Sequence, residues 1–214
     1  MLRTIGVVTA LQLLAWTPAW ACTGQVGAVI FQDSFADDSG GWDVAPPEAT
    51  VVPPAFIFAL DAKVSNVSTH NLTFNATDGD YCMDFVLPPP IAPNNQIYAG
   101  LEFWATDYGN FMMAQLGSDA SFNLYKLASG KWTTVAGIEN VPGFNSGPNA
   151  TNSLRVTALS GTITMYLNGT QVKVIRAQEP TNPALQFGMY AQDTTAVDNA
   201  PKIQITNYSV TAGK

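Results

Sequence analysis

Residues Tyr98–Val135 read YAGLEFWATDYGNFMMAQLGSDASFNLYKLASGKWTTV. Four runs rich in aromatic and aliphatic residues, Tyr98–Ala105, Asn110–Leu116, Ser121–Leu127 and Lys131–Val135, are cut by three polar turns, Thr106–Gly109, Gly117–Ala120 and Ala128–Gly130. Short apolar runs punctuated by Gly, Asp and Ser mark an antiparallel meander. A helix needs apolar positions three and four apart over ten or more residues, and that spacing is absent here.

The same reading extends in both directions. Upstream, Ala28–Phe31, Leu72–Ala76 and Asp80–Leu87 are expected strands, Ala55–Lys63 and Val64–Ser68 are strands or one bent strand pair, and the four prolines of Ala45–Pro54 mark a surface loop, since proline cannot donate to a ladder. Downstream, Ser153–Leu159, Thr162–Leu167, Thr170–Arg176, Leu185–Gln192 and Ile203–Thr211 are expected strands. Asn168-Gly169 between two of them is a hairpin turn, because both residues tolerate positive φ. About twelve strands and no helix predict an all-β fold, a two-sheet antiparallel jelly-roll sandwich. With 214 residues, the chain suits one such domain over 22–214.

Alternation assigns the faces. Leu101, Phe103 and Ala105 form one set, opposite Gly100, Glu102 and Trp104; Ile163, Met165 and Leu167 form another; Phe187, Met189 and Ala191 lie opposite Gly188, Tyr190 and Gln192. The first set in each strand is the expected core. The second is polar yet aromatic, a combination that suits sugars: rings stack on pyranose C–H faces and amides bond hydroxyls. Candidate ligand-binding residues are Trp104, Glu102, Tyr125, Tyr190 and Gln192, with Tyr108 and Asn110 from the adjoining turn. The alternative is that these rings only stabilise cross-strand pairs.

Charged residues make up 12% of the chain, so its polar surface is built largely from uncharged side chains, and the formal net charge is −7. No basic cluster exists, which argues against nucleic acid or anionic lipid as a partner. Residues 1–21 resemble a secretory signal: Arg3, an apolar run Ile5–Trp16, and the small-x-small site Ala19-Trp20-Ala21. The run is too short for a membrane span. Export would place the protein in the periplasm or outside the cell. There Cys22 and Cys82 are expected to form a disulfide. Lipidation of Cys22 is the competing reading and would exclude that bridge. The oligomeric state is not legible.

Several blocks carry a family resemblance. Phe31-Gln32-Asp33-Ser34-Phe35 with Gly41-Trp42 resembles the opening FxDDF…GW of concanavalin A-like lectin/glucanase domains, including laminin-G-like domains and exported bacterial 3-keto-disaccharide hydrolases. Tyr98–Ala105 with Asp107 and Asn110-Phe111 is similar to their YxGLxFRA…DNFY block, and Leu124–Leu127, Gly130–Trp132, Asn168-Gly169 and Phe187–Ala191 continue it. The resemblance implies a carbohydrate-binding sandwich, or a glycoside hydrolase on the same fold. Trp104 stands where relatives carry Arg. Some members bind calcium near the chain ends, which would put Asp33 forward as a ligand; Ile205-Thr206-Asn207-Tyr208 stands where relatives read FDNF and supplies no acidic partner, so no cofactor is expected.

Catalysis finds little support. Glycoside hydrolysis uses two carboxyl groups across the scissile bond. The four glutamates, Glu48, Glu102, Glu139 and Glu179, do not form the ExDxxE pattern of the glucanases, and Asp80 and Asp84 read as a rim and a strand end. The single histidine, His70, falls in Ser68-Thr69-His70-Asn71, read as a surface turn, and no GxSxG elbow exists. The expectation is therefore a lectin-like module, with the enzyme and a structural or adhesion module as alternatives.

Overall fold

A computed structural model describes residues 22–61, 63–74, 76–89, 95–181, 186–194 and 202–213. The expected signal segment, 1–21, lies outside the described residues. Among the described residues fourteen strands occur and no helix. In order they are β1 Val29–Asp33, β2 Ala49–Val52, β3 Ala55–Phe58, β4 Asn66–Asn71, β5 Gly79–Val86, β6 Ile97–Asp107, β7 Asn110–Gly117, β8 Phe122–Ala128, β9 Lys131–Ile138, β10 Thr151–Leu159, β11 Thr162–Leu167, β12 Thr170–Arg176, β13 Gln186–Asp193 and β14 Ile203–Ala212.

They build two antiparallel sheets. One has the order β12-β11-β10-β5-β14-β3-β2, with β1 also paired to β14; the other is β4-β13-β6-β7-β8-β9. The sheets close on a single large core to which nearly every strand contributes. Tyr81, Met83 and Phe85 of β5 face Leu101 and Phe103 of β6 and Phe187 and Met189 of β13 across it, all fully buried. Trp42 joins this core through edge contacts to Phe31, Phe187 and Tyr208.

The all-β sandwich stands, with local corrections. Ala49–Val52, expected in a proline loop, forms β2, because the flanking prolines bracket the strand instead of interrupting it. No strand forms across Leu72–Ala76 among the described residues. Asp80 and Asp84 are buried on the outer face of β5. Asp80 receives a two-pronged contact from Arg155, Nε to Oδ1 at 2.8 Å and Nη2 to Oδ2 at 2.7 Å. Between the two acids, Cys82 is joined to Cys22, which ties the segment before β1 across this face. That disulfide is the bridge expected from the sequence; it occupies the Cys22 sulfur and fits an oxidising, extracellular setting. No helix among the described residues is long and apolar enough to cross a membrane.

The largest correction concerns Trp104. It adopts φ 52°, and the β6–β7 register shifts between Phe103 and Asp107. A bulge inserts one residue and reverses the facing of everything after it. Trp104 therefore turns into the main core at 2% exposure, where its indole N–H donates to the Thr77 carbonyl at 2.6 Å. Ala105, expected in that core, turns outward and joins Phe111, Met113, Leu127 and Tyr190 in a second apolar cluster.

Candidate functional site

The second cluster lies on the outer face of the six-stranded sheet, and strand register lays that face out in rows. His70, Gly188, Glu102, Met113, Tyr125 and Thr134 are directly opposed across β4, β13, β6, β7, β8 and β9. The next row runs Ser68, Tyr190, Gly100, Gln115, Asn123 and Gly137. Phe111, Leu127 and Trp132 are opposed in a row on the other side. Directly opposed residues share a face, so these side chains all project together.

The middle of this surface is a cleft of about 210 Å³ lined by Met113, Gln115, Tyr125, Trp132, Tyr190 and Gln192. Trp132 is 44% exposed and meets Tyr125 and Tyr190 nearly edge-on, at 6.1 and 6.2 Å between ring centres. Phe111 props it from behind at 5.6 Å. The rings therefore form a corner of apolar faces, not a flat platform. Gln115 and Gln192 supply amides at one side, 3.5 Å apart. Gly100 makes the packing possible, since a Cβ there would lie 2.9 Å from the Met113 sulfur and 3.1 Å from Tyr190 Cβ. Burial raises the phenol pKa of Tyr125 and of Tyr190, and the negative charge of Glu102 raises Tyr190 further, so both hydroxyls stay protonated and can donate. No lining residue carries a charge.

Beside the cleft is a sealed polar network. Glu102 and His70, both fully buried, meet at 2.5 Å between Oε2 and Nε2. They project from strands that β13 separates, and they touch only because Gly188 lies between them: a Cβ there would fall 2.5 Å from His70 Cδ2 and 2.9 Å from Glu102 Oε2. Ser68 Oγ donates to Glu102 Oε1 at 2.6 Å, and His70 Nδ1 meets Gln186 Oε1 at 2.7 Å. Tyr108 covers the imidazole in a parallel stack, 4.1 Å between centres, while its hydroxyl donates to Asp43. Burial raises the Glu102 pKa, opposed by its bonds to His70 and Ser68. His70, expected in a surface turn, is thus a strand residue; its polar neighbours bond within the sheet.

The sequence candidates fall in three places. Tyr125, Tyr190 and Gln192 line the cleft. Glu102 and Tyr108 belong to the sealed network, and Glu102 is closed to solvent. Trp104 and Asn110 lie away from the cleft, beside a cavity of about 410 Å³ at the end of the β6–β7 hairpin. Asn110 Nδ2 there bonds both oxygens of Asp107, at 2.8 and 3.0 Å. Trp132, the most exposed ring of the cleft, was absent from the sequence candidates. Its signal was the Ser129-Gly130 turn, which opposes Trp132 to Leu127 and so puts it on the face of Tyr125.

As to metals, both Asp33 oxygens are engaged, by the Phe35 N–H at 2.7 Å and the Trp42 indole at 2.9 Å. Among the described residues, the group of potential ligands that converges is Cys22, Cys82 and Asp84, and its sulfurs are joined in the disulfide.

Two antiparallel sheets closed on a shared core make this an all-β sandwich. Solved structures of that class superpose on it. The carbohydrate-binding module CBM66 from Bacillus subtilis matches with a TM-score of 0.59 at 16% identity, covering 78% of this chain and 94% of the module. The Bacillus licheniformis β-glucanase matches at 0.63 and 11%, covering 87% and 99%. The Emp46p carbohydrate recognition domain in its potassium-bound form matches at 0.57 and 11%, covering 81% and 89%. At these identities the likeness is one of fold. No protein-family model and no curated protein matches the chain.

Proposed function

We propose that the protein is an exported, lectin-like module that binds a neutral glycan in the cleft of Tyr125, Trp132 and Tyr190. The observation that carries this reading is the corner of three rings beside two glutamine amides, with no charged group in the lining. Trp132 offers an exposed ring for C–H stacking, and the amides and phenols offer directed hydrogen bonds. The neighbours in fold, a carbohydrate-binding module, a carbohydrate recognition domain and a glucanase, support a glycan as the ligand class. The disulfide supports a periplasmic or secreted location. The reading assigns no chemistry to Glu102, whose carboxylate is spent on Ser68 and His70.

A glycan array probed with the wild-type protein and with Trp132→Ala tests it. Retention of one or more neutral glycans, lost in Trp132→Ala, is expected. No retention on any glycan, or retention unchanged in the variant, overturns it.

A further inference from the structure

A second hollow, about 400 Å³, adjoins the aromatic cleft and is lined by Tyr98, Asp119, Ser121, Asn123, Glu139 and Asn140. Every one of these side chains carries a polar group. The two spaces share their boundary: Gln115 of the cleft is directly opposed to Asn123 of the hollow, and Gln192 of the cleft to Tyr98. On β8, Tyr125 lines the cleft and Asn123 the hollow, and Ser121, the residue just before β8, lines the hollow beside Asn123. Positions two apart on a strand share a face, so one trough follows β8, roughly 14 Å from Tyr125 to Ser121 at strand rise.

We infer that this trough binds a linear neutral oligosaccharide, with one unit against the rings and the next hydrogen-bonded in the polar hollow. The inference rests on the proposed glycan binding and adds to it the length and charge of the ligand. Three observations carry it. Tyr98 supplies the one ring of the hollow's lining and the other five lining side chains are short and polar, so the hollow suits a unit held chiefly by hydrogen bonds. The Asn123 and Asn140 amides make no hydrogen bond to other described residues, so their donors and acceptors are free for hydroxyls. Asp119 accepts from the Ser121 N–H and hydroxyl, at 3.0 and 2.6 Å, which holds its carboxylate in the lining it shares with Glu139. Two carboxylates facing one space accept hydroxyl protons and repel a uronate.

Calorimetric titration separates the two readings. The probes are methyl glycosides of glucose, galactose, mannose and xylose, the matching linear trisaccharides, and trigalacturonate. In at least one neutral series the trisaccharide is expected to bind about tenfold tighter than the methyl glycoside, as one or two added hydrogen bonds allow. Asn123→Ala should collapse that ratio towards unity and leave the methyl glycoside affinity unchanged, which also certifies its fold. Trigalacturonate should not bind. Equal affinities for glycoside and trisaccharide, a ratio unchanged in Asn123→Ala, or binding of trigalacturonate overturns the trough while leaving the ring cleft standing. Binding of no saccharide overturns both.

Discussion

Replacing His70 by leucine would leave the Glu102 carboxylate buried with Ser68 as its remaining hydrogen-bond donor. Removing one partner of a buried ion pair costs about 3–5 kcal/mol, because the other charge is stranded, whereas replacing both by apolar groups of similar volume is often close to neutral. Urea unfolding at neutral pH, with the disulfide intact in every variant, should therefore show a large loss for His70→Leu. A smaller loss, about 1–3 kcal/mol, is expected for Glu102→Leu, which leaves the buried His70 Nε2 without its partner. The double variant should recover most of the loss, giving a coupling energy of several kcal/mol between the two sites. The pH dependence has a definite sign. Burial already raises the folded-state pKa of Glu102, and losing His70 removes a group that lowers it. A raised carboxyl contributes its stability in full below the unfolded pKa, near 4.3, and loses it as pH rises through the folded value. His70→Leu should thus be least harmful in acid and worsen towards neutrality. Losses that simply add in the double variant, or a deficit independent of pH, would refute the buried pair.

Gly188→Ala should destabilise the protein by about 1–3 kcal/mol in the same assay, since the new methyl must displace His70, Glu102 or the Thr69 carbonyl at 2.5 Å. Trp104→Ala should cost about 3–5 kcal/mol by opening a cavity in the core, while Trp132→Ala, half exposed, should cost under about 1 kcal/mol; thermal unfolding that ranks them the other way would contradict the bulge. Breaking the Cys22–Cys82 bridge by Cys82→Ala should cost roughly 4 kcal/mol on chain-entropy grounds for a separation of 60 residues. An unchanged urea midpoint would count against the bridge.

The sheet architecture was legible because the meander and the hairpins obey period two and their turns carry the right residues. The runs Thr162–Leu167 and Thr170–Arg176 around Asn168-Gly169 match their strands to the residue. The candidate site was less legible, for three physical reasons. A bulge has no reliable mark in a continuous apolar run, so strict alternation sent Trp104 outward and Ala105 inward. The strand Asn66–Asn71 has few apolar residues; it is held by hydrogen bonds across the sheet, among them those of Ser68 and His70, and its composition mimics a turn. Trp132 reads as a strand residue, but its face depends on the register of the hairpin and not on its own neighbours. Tyr125, Tyr190 and Gln192 are legible because each keeps one regular ladder, Tyr125 with β7 and Tyr190 and Gln192 with β4, so alternation holds along their own strands.

The most direct test follows the tryptophan indole N–H resonances while a neutral trisaccharide identified by the array is titrated in. Trp132 is open to the cleft at 44% exposure, whereas Trp42 and Trp104 are packed in the core at 8% and 2%. The account predicts a saturable shift of the Trp132 indole with the other two unmoved. A saccharide that binds and leaves Trp132 still, or that moves Trp104 instead, would contradict it.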